Sequence, residues 1–194
     1  MNLDNQFWNN RYLQNETGWD IGYVSTPLKE YFDQLEDKSV RILIPGCGNS
    51  YEAEYLFNNG FKNVFLVDYA QKALDNFSKR VPDFPKENLI CNDFFKIEGA
   101  FDIIVEQTFF CAIDKSKRAD YAKQVNSLLN KNGTLVGLLF DDPLYEDHPP
   151  FGGDRKEYES YFTPYFKFKV FEKASNSIAE RLGREFFIIF TKRA

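Results

Sequence analysis

Residues 40–52 of the chain are VRILIPGCGNSYE. An apolar run that breaks into Gly-x-Gly at positions 46–48 and resumes with helical spacing predicts a strand, a tight turn and a helix. Asn49 with Glu52 resembles an N-terminal helix cap. Because glycine leaves room beside the backbone amides, such a turn at the carboxyl edge of a sheet predicts a cofactor site. Gly-x-Gly turns also occur in loops without a ligand. The next strand helps to decide between a cofactor-binding turn and a turn without a ligand.

The second predicted strand ends in an acidic residue. Residues 63–68 are NVFLVD, which places Asp68 22 positions after Gly46. An acid ~20 residues beyond the first glycine, at the tip of the second strand, bonds the two hydroxyls of an adenosine ribose. The two strands together therefore predict a ribonucleoside ligand. Since the carboxylate of Asp68 is predicted to face a crevice, we expect it to contribute little to the stability of the fold.

The nature of the nucleoside follows from what the turn lacks. No Gly-Lys-Ser or Gly-Lys-Thr follows it, which excludes a triphosphate-binding loop, and Tyr51 stands where a dinucleotide-binding turn has its third glycine. A pyrophosphate needs that close approach to the helix start, whereas S-adenosylmethionine carries no phosphate. The sequence therefore favours a methyltransferase over a nicotinamide dehydrogenase. A module that binds S-adenosylmethionine without catalysis remains an alternative.

Length and charge narrow the class of protein. A chain of 194 residues suits one domain with a single substantial core. It carries 24 Lys and Arg against 29 Asp and Glu without a dense basic block, so we expect no nucleic-acid partner. The longest apolar runs are about six residues, far below the ~20 that span a bilayer, and the N-terminus lacks a signal-peptide pattern. We expect a soluble, cytoplasmic monomer that binds no membrane.

Cysteine and histidine are too few to build a metal centre. Cys47, Cys91 and Cys111 lack Cys-x-x-Cys spacing, and His148 is the single histidine of the chain, so neither a zinc site nor a disulfide framework is predicted. We interpret all three cysteines as small buried hydrophobic residues. A serine or cysteine hydrolase would have to use His148, which lies in a Pro-rich loop, and the sequence disfavours this reaction class.

The remaining pattern alternates strands with helices and ends in two strands that form a hairpin. This order predicts an α/β fold: one doubly wound, seven-stranded, mostly parallel sheet of the Rossmann-like type, with an antiparallel strand near its edge. Gly133 is expected to end a helix, and residues 141–153 are expected to form a turn-rich loop. The predicted helices include residues 26–35, 71–80, 116–130 and 155–161, and the strands after the second cover residues 88–94, 101–106, 134–140, 165–172 and 185–192.

Residues 1–39 precede the sheet and are predicted to form a helical lid on the domain of residues 40–194, within one compact domain overall. Trp8 and Tyr12 have helical spacing, and the stretch GWDIG at residues 18–22 breaks the pattern. Aromatic residues at helical spacing are usually core, which would make the segment a packing cap. An aromatic face also attracts a sulfonium cation as it attracts quaternary ammonium, which would make it a lid that touches the cofactor. Both interpretations stay open at this point.

Residues at the ends of other strands are further candidates for ligand binding. Asp93, at the end of the third strand, can accept a hydrogen bond from an adenine amino group while the neighbouring backbone amide meets a ring nitrogen. In an open α/β sheet, the residues just past the first and fourth strands flank the crevice in which ligands bind. Residues 106–111 are therefore candidates for the floor of the reaction site.

Four motifs in the chain lie in the same order as the signatures of one enzyme family. They are GWD at 18–20 with TPL at 26–28, LIPGCG at 43–48, FDII at 101–104 with FFCAI at 109–113, and PPF at 149–151. With them the chain resembles the thiol and halide methyltransferase branch of the thiopurine methyltransferase superfamily, within the class I S-adenosylmethionine-dependent methyltransferases. The similarity covers residues 7–164. The chain departs from the family pattern at Tyr12, Asn49, Ser50, Glu52, Glu106 and Gln107.

The resemblance implies a class I methyltransferase fold and a site for S-adenosyl-L-methionine, with S-adenosyl-L-homocysteine as the product and no metal. It implies that Trp8, Tyr12 and Trp19 close over the cofactor. The other cofactor residues that it implies are Gly46 and Gly48 at the methionine end, Asp68 at the ribose, Asp93 and Phe94 at the adenine, and Gln107 beside the methionine moiety.

The methyl acceptor is predicted from residues at the ends of the fourth and fifth strands. A small, dry, aromatic chamber there suits a small polarisable anion, which loses less solvation than a large or strongly basic acceptor and gains from the sulfonium charge. We expect in-line methyl transfer to a thiol, hydrosulfide, thiocyanate or halide, with a thiopurine as the alternative. Such acceptors need no general base, so no catalytic residue is assigned; an amine or hydroxyl would point to Glu106 or Tyr145. The candidate wall residues are Phe109, Phe110, Tyr145 and Phe151, together with Trp19 and Glu106.

Overall fold

A seven-stranded sheet forms the centre of the protein. The computed structural model describes residues 2–193. The helices are α1 (Asn5–Leu13), α2 (Thr26–Asp33), α3 (Tyr51–Asn58), α4 (Gln71–Arg80), α5 (Arg118–Leu128) and α6 (Arg155–Phe162). The strands are β1 (Ile42–Pro45), β2 (Val64–Asp68), β3 (Leu89–Cys91), β4 (Phe101–Gln107), β5 (Leu129–Phe140), β6 (Asp142–Leu144), β7 (Phe151–Gly153), β8 (Phe166–Lys173) and β9 (Glu185–Lys192). Within residues 2–193 no helix has the length and apolar character that crossing a bilayer requires.

The strands of the large sheet lie in the order β3-β2-β1-β4-β5-β9-β8. β9 runs antiparallel to both β5 and β8, and the other pairings are parallel. The order reverses between β1 and β4, because the chain first adds strands on one side of β1 and then on the other. At such a point the carboxyl ends of the strands leave a crevice open to a ligand. The predicted doubly wound, mostly parallel, seven-stranded sheet is confirmed.

The central strand is buried on both of its faces. All four residues of β1 are buried, with Leu43 in one apolar cluster and Ile42 and Ile44 in the other. Successive side chains of a strand point to opposite faces, so such a strand lies between two covering layers. Full burial of an isoleucine or leucine side chain contributes about 1.5–3 kcal/mol. β1 is therefore a firmly held base for the glycine turn that follows it.

The helix after the glycine turn starts differently from the predicted cap. Ser50 is the N-cap residue, with a left-handed backbone (φ 51°), and no side chain caps the first turn of α3. Asn49 donates instead to the carboxylate of Asp20. Glu52 accepts a hydrogen bond from the amide of Ser25 at 3.0 Å. Both side chains that suggested a cap thus hold the N-terminal segment against the turn.

The predicted helix over residues 116–130 is shorter in the structure. α5 ends at Leu128, and Leu129 already pairs with Phe101 as the first residue of β5. Gly133 lies inside β5, where a Cβ would come within 2.9 Å of the carbonyl oxygen of Asn130. The glycine therefore marks a place where the backbone folds closely on itself, but this place lies in the strand and not at the end of the helix.

The predicted loop over residues 141–153 contains a small two-stranded sheet. β6 and β7 pair antiparallel, with Leu144 opposite Phe151. Gly152 allows this pairing, because a Cβ at that position would overlap carbonyl oxygens of β6. The residues between β6 and β7 therefore form the connection of a small hairpin.

The third strand is shorter than predicted and leaves one cysteine exposed. β3 covers three residues, and a single turn of 3-10 helix begins at Phe94. Cys91 ends this edge strand and is exposed, whereas Cys47 and Cys111 are buried. The interpretation of all three cysteines as buried residues is therefore wrong for Cys91, because an edge strand is covered on fewer sides than a central one.

Candidate active site

A cavity of ≈ 1190 Å³ opens at the carboxyl edge of the sheet. Pockets for a single small molecule span roughly 300–1,000 Å³, so this cavity has room for two ligands side by side. The predicted residues that line it are Trp8, Tyr12, Trp19, Gly46, Asp68, Asp93, Phe94, Phe109 and Tyr145. The fold thus brings side chains from distant parts of the chain to the crevice at which the strand order reverses.

The two glycines of the turn are required by aromatic side chains that press on the backbone. Gly46 and Gly48 both have a left-handed conformation, with φ of 55° and 53°. A Cβ at Gly46 would overlap the ring of Phe109, and a Cβ at Gly48 would lie 2.7 Å from the hydroxyl of Tyr12. The amide of Gly48 donates to Asp68 at 2.8 Å and is thus already used within the protein. The turn is shaped around its own aromatic neighbours, which the sequence did not reveal.

Asp68 lies at the tip of β2 and also supports the turn. Its carboxylate accepts hydrogen bonds from the amides of Gly48 and Ala70, both at 2.8 Å, and the side chain is largely buried. Burial raises the pKa of Asp68 to about 6, although the backbone hydrogen bonds act in the opposite direction. The expectation that this residue contributes little to the fold is therefore wrong. Each carboxylate oxygen has a second lone pair, so the group can still bond a ligand in the cavity.

Aromatic and acidic side chains line the cavity beside the ends of β2 and β3. Tyr69 follows Asp68 directly, and burial together with a hydrogen bond to Asp93 raises the pKa of Tyr69 to about 12. The rings of Phe94 and Phe109 meet edge to face, with centroids 5.4 Å apart. Sequence reasoning missed Tyr69, although its place directly after the strand-tip acid is a signal that could have found it.

Three aromatic side chains of the N-terminal segment cover one side of the cavity. Trp19 meets Trp8 and Tyr12 edge to face, with ring centroids 5.7 and 5.8 Å apart. The three rings pack on Ala70 and Ala73 at the start of α4, and all three line the cavity. The same rings belong to a packed cluster and to the cavity wall, so their arrangement agrees with both the packing-cap and the lid interpretation.

Gln107 lies beside a second, much smaller pocket, of which Trp19 forms part of the wall. This pocket measures ≈ 40 Å³. Gln107 Oε1, Asn49 Oδ1 and Ser50 Oγ are buried at its wall without a hydrogen-bond partner among residues 2–193. Buried polar atoms are nearly always bonded to protein, water or ligand. A pocket of this size, lined by oxygen atoms, fits a water molecule or a single ammonium group.

Three of the predicted acceptor residues do not reach the large cavity. Glu106 is enclosed, because its carboxylate accepts hydrogen bonds from the amides of Phe109 and Phe110 and from the hydroxyl of Tyr121. Phe110 packs in the core, and Phe151 is buried in β7. Of the two adjacent phenylalanines after β4, Phe109 faces the cavity and Phe110 faces away from it. The residue types alone do not reveal this difference in direction.

Two buried acidic groups, one near the end of β4 and one in the turn after it, are not available for proton transfer or nucleophilic attack. Burial raises the pKa of Glu106 to about 7, and the carboxylate is bonded away from the cavity. Burial also raises the pKa of the Cys111 thiol, which lines the cavity, to about 12. Cys111 therefore stays protonated at neutral pH, and a protonated thiol is a poor nucleophile.

Arg181 is a cavity residue that the sequence did not reveal. It lies between β8 and β9 and is 9% exposed. Its guanidinium donates to the carbonyl oxygen of Trp19 at 2.7 Å and lies 3.6 Å from the carboxylate of Glu185. Arg181 and Trp19 are 162 positions apart, and no local pattern joins residues at that separation.

Comparisons with known proteins agree with this geometry. A family-wide sequence profile described as Thiopurine S-methyltransferase (TPMT) matches residues 3–186. The probable thiol methyltransferase 2 of Arabidopsis thaliana is 27% identical over 189 residues, which cover 91% of this chain and 83% of that protein. Thiocyanate methyltransferase 1 of Brassica oleracea is 27% identical over 184 residues, which cover 92% of this chain and 81% of that protein.

A solved methyltransferase shares the fold. The 1,6-didemethyltoxoflavin-N1-methyltransferase of Burkholderia thailandensis, solved with S-adenosylhomocysteine bound, superposes with a TM-score of 0.81. The match covers 98% of this chain and 87% of that chain at 12% identity, a level at which the likeness concerns the fold alone. The family profile covers nearly the whole chain, so the resemblance read from the sequence motifs is confirmed. The chain belongs to the thiopurine S-methyltransferase family and is an S-adenosylmethionine-dependent methyltransferase.

Proposed function

We propose that this methyltransferase moves the methyl group of S-adenosylmethionine to a small soft nucleophile: a thiol, hydrosulfide, thiocyanate or halide. The observation that carries the proposal is that Phe109, Tyr145 and the positively charged Arg181 all line the cavity, and we call the part of the wall that they supply the acceptor end. Glu106, the acid expected to serve as a base for harder acceptors, is bonded away from this space. A soft anion needs attraction and exclusion of water rather than a base. The relatives named as thiol and thiocyanate methyltransferases support the same class of acceptor.

The proposed cofactor-binding site lies along the carboxyl ends of the first four strands. Asp68 would bond the ribose hydroxyls through the lone pairs that its backbone partners leave free. Tyr69, Asp93 and Phe94 would hold the adenine, which their places at the ends of β2 and β3 support. Gln107 would accept a hydrogen bond from the ammonium group of the methionine moiety, since its side-chain oxygen is otherwise unpartnered at the small pocket.

When bound, S-adenosylmethionine supplies a methyl group on a positively charged sulfur, which makes that group a strong electrophile. The chain has to align the acceptor behind the methyl group and exclude water, and this can supply several kcal/mol of the barrier without proton transfer. The rings of Tyr12 and Trp19 would face the positive charge. Phe109 would form the apolar wall behind the acceptor, with the 50% exposed Tyr145 at its outer edge. The charge of Arg181, partly balanced by Glu185 at 3.6 Å, would favour an anion over a cation there.

The size of the cavity favours a second candidate acceptor. A thiopurine has two fused rings and is larger than thiocyanate or iodide, and ≈ 1190 Å³ leaves space for such a molecule beside a cofactor. The family description names this class of substrate. Family membership also argues against the non-catalytic binding module and the dehydrogenase that the turn alone left open.

The test is methyl transfer from S-adenosylmethionine with a labelled methyl group to a panel of acceptors. The panel contains hydrosulfide, a small thiol, thiocyanate, iodide, a thiopurine, an amine and an alcohol, and each reaction is repeated with excess S-adenosylhomocysteine as an inhibited control. We expect the highest kcat/KM among the first four acceptors. A higher kcat/KM for the thiopurine would support the second candidate, and transfer confined to the amine or alcohol would contradict the proposal.

A further inference from the structure

Arg181 connects the last hairpin of the chain to the N-terminal segment. Its Nη2 donates to the carbonyl oxygen of Trp19 at 2.7 Å, and its Nη1 lies 3.6 Å from the nearly buried carboxylate of Glu185. Glu185 is itself held by the hydroxyl of Ser177 at 2.8 Å. The planar guanidinium has several donors in a fixed arrangement, so one side chain can hold both partners at once. The hydrogen bond to Trp19 therefore starts from an anchored group.

The loop that carries Arg181 is held by its own backbone. The amide of Arg181 donates to the carbonyl of Ile178, and the amide of Arg184 donates to the carbonyl of Arg181, both at 2.9 Å. The guanidinium of Arg181 also lies 5.7 Å from the centre of the Phe140 ring, at the end of β5. A donor fixed in this way restrains the segment that it holds, because little of its own freedom is left to be lost.

The segment that Arg181 holds is the Trp19 strap, which we define as residues 18–22. The carboxylate of Asp20 accepts from the side chain of Asn49, directly after the glycine turn. The strap is thus fastened to the cofactor turn by Asp20 and to the β8–β9 loop by the carbonyl of Trp19. The ring of Trp19 forms part of the wall of both the large cavity and the small pocket beside Gln107.

We infer that Arg181 is a positioning residue that holds the Trp19 strap over the cavity and so links the acceptor end of the site to retention of the cofactor. A hydrogen bond from a charged donor is strong enough to shift an equilibrium between closed and open positions of the strap on the order of tenfold. When the closed position is less populated, a ligand that needs it binds more weakly by the same factor. The inference rests on the proposed function for the place of the acceptor end and of the cofactor in the cavity.

A second role for Arg181, which the proposed function already uses, is direct attraction of an anionic acceptor by its charge. The two roles predict different changes. A positioning role through the carbonyl of Trp19 changes the affinity for S-adenosylhomocysteine, which carries no acceptor. Direct attraction changes the KM of the acceptor and leaves that affinity at the wild-type value. Arg181→Lys keeps the charge but lacks the planar fork, so it distinguishes the two roles.

The experiment compares wild type with Arg181→Met, Arg181→Lys and Arg41→Met. Arg41 is the matched control, because its guanidinium also donates to a backbone carbonyl, that of Ala100 at 3.0 Å, but does not line the cavity. Hydrogen exchange is followed at the amides of Asp20 and Gly22, which donate to the carbonyl oxygen of Thr17 and to the carboxylate of Asp20. The dissociation constant for S-adenosylhomocysteine is measured by calorimetry, and the melting midpoint without ligand monitors the fold.

We expect Arg181→Met to raise exchange in the strap and to weaken S-adenosylhomocysteine binding, each on the order of tenfold. Arg181→Lys should recover only part of the slow exchange and of the affinity, and Arg41→Met should match wild type in both. The inference is overturned if strap exchange and S-adenosylhomocysteine affinity both stay at wild type in Arg181→Met, whatever the melting midpoint does. The two deciding readouts involve no acceptor, so a failure of the proposed acceptor class would not be mistaken for a failure of this inference.

Discussion

Single residues at the glycine turn serve both the fold and the site. Asp68 was expected to face a ligand, and its carboxylate also holds the amides of Gly48 and Ala70 in place. Gly48 in turn leaves room for Tyr12, so the turn, the strand-tip acid and an aromatic ring of the N-terminal segment form one unit. A change at any of these positions should therefore affect both stability and ligand binding.

Asp68→Asn should weaken binding of S-adenosylhomocysteine by about 1.5–3 kcal/mol, the range for a hydrogen bond to a charged group. It should also lower the melting midpoint, because an amide side chain has only one oxygen to accept from the two backbone amides. Calorimetry and thermal unfolding measure the two effects. Asp75→Asn is the matched control, since Asp75 is exposed on α4 and lies outside the cavity. Unchanged affinity in Asp68→Asn would remove this residue from the proposed ribose site.

Glu106→Gln should leave methyl transfer to thiocyanate or iodide near the wild-type rate, because Glu106 is enclosed and does not act as a base. The substitution should instead change the free energy of unfolding. Burial raises the pKa of Glu106 from 4.5 to about 7 in the folded protein, so its contribution to the free energy of unfolding is full below pH 4.5 and is lost as the pH rises towards 7. Glutamine does not titrate and removes this loss.

The measurement is the urea unfolding midpoint of both proteins between pH 4.5 and pH 8, a window chosen from that pKa shift. The wild-type midpoint should fall relative to that of Glu106→Gln as the pH rises through this window. A constant difference between the two proteins at every pH would contradict the raised pKa. A large loss of methyl transfer in a folded variant would return Glu106 to the list of candidate bases.

At the scale of elements, the N-terminal segment is packed and also belongs to the site. α1 lies against α4, where the side-chain oxygen of Asn9 accepts from the amide of Lys72 at 2.9 Å. The strap after α1 is held by Asn49 and Arg181, and Ser25 before α2 is held by Glu52. The contacts named here are hydrogen bonds, and apolar packing is concentrated in the cluster around Trp19. A segment held in this way typically opens more easily than the core.

Hydrogen exchange at residues 7–19 should slow when S-adenosylhomocysteine binds, because a ligand under the three aromatic rings stabilises the closed position. The amides of α2 are the internal control, since this helix packs on α3 away from the cavity and should exchange at the same rate with and without ligand. Equal exchange at residues 7–19 in both states would favour the packing-cap interpretation over the lid.

At the scale of the whole molecule, two segments far apart in the sequence, the Trp19 strap and the β8–β9 loop, meet at the wall of the cavity. The N-terminal strap and the β8–β9 loop form the part of the wall that the sheet itself does not supply. The sheet places the strand ends that are proposed to bind the cofactor, and these outer segments supply part of the wall of the proposed acceptor end. If the proposal holds, acceptor choice depends on contacts between distant parts of the chain.

The dependence of the rate on pH should follow the acceptor and not the protein. For a small thiol, the rate should rise with pH up to near ~8.5, the pKa of an ordinary thiol, since the thiolate is the nucleophile. Thiocyanate and iodide are anions throughout this range, so their rates should lack that rise and serve as the matched control. The measurement is kcat/KM for each acceptor between pH 6.5 and pH 9.5, a range set around that pKa. An identical profile for thiol and thiocyanate would contradict transfer to a free thiolate.

Local patterns in the sequence determined the strand, turn and helix around residues 40–58, the acid at the tip of β2 and the doubly wound, mostly parallel sheet. Each depends on the periodicity of apolar residues or on short spacings, which follow directly from backbone geometry. Ribose binding by Asp68 and cofactor contact by Trp19 were also predicted from the sequence, through residue spacing and family motifs. Both stay predictions.

Only the tertiary structure decided which side chains face the cavity. Phe109 and Phe110 are neighbours of the same type, yet the hydrogen bonds of both amides to Glu106 turn one ring to the cavity and the other to the core. Arg181 reaches Trp19 across 162 positions, and no local spacing carries that contact. Side-chain direction in a loop and contact between distant segments depend on how the whole chain packs, and for that physical reason the acceptor end could not be derived from the sequence by itself.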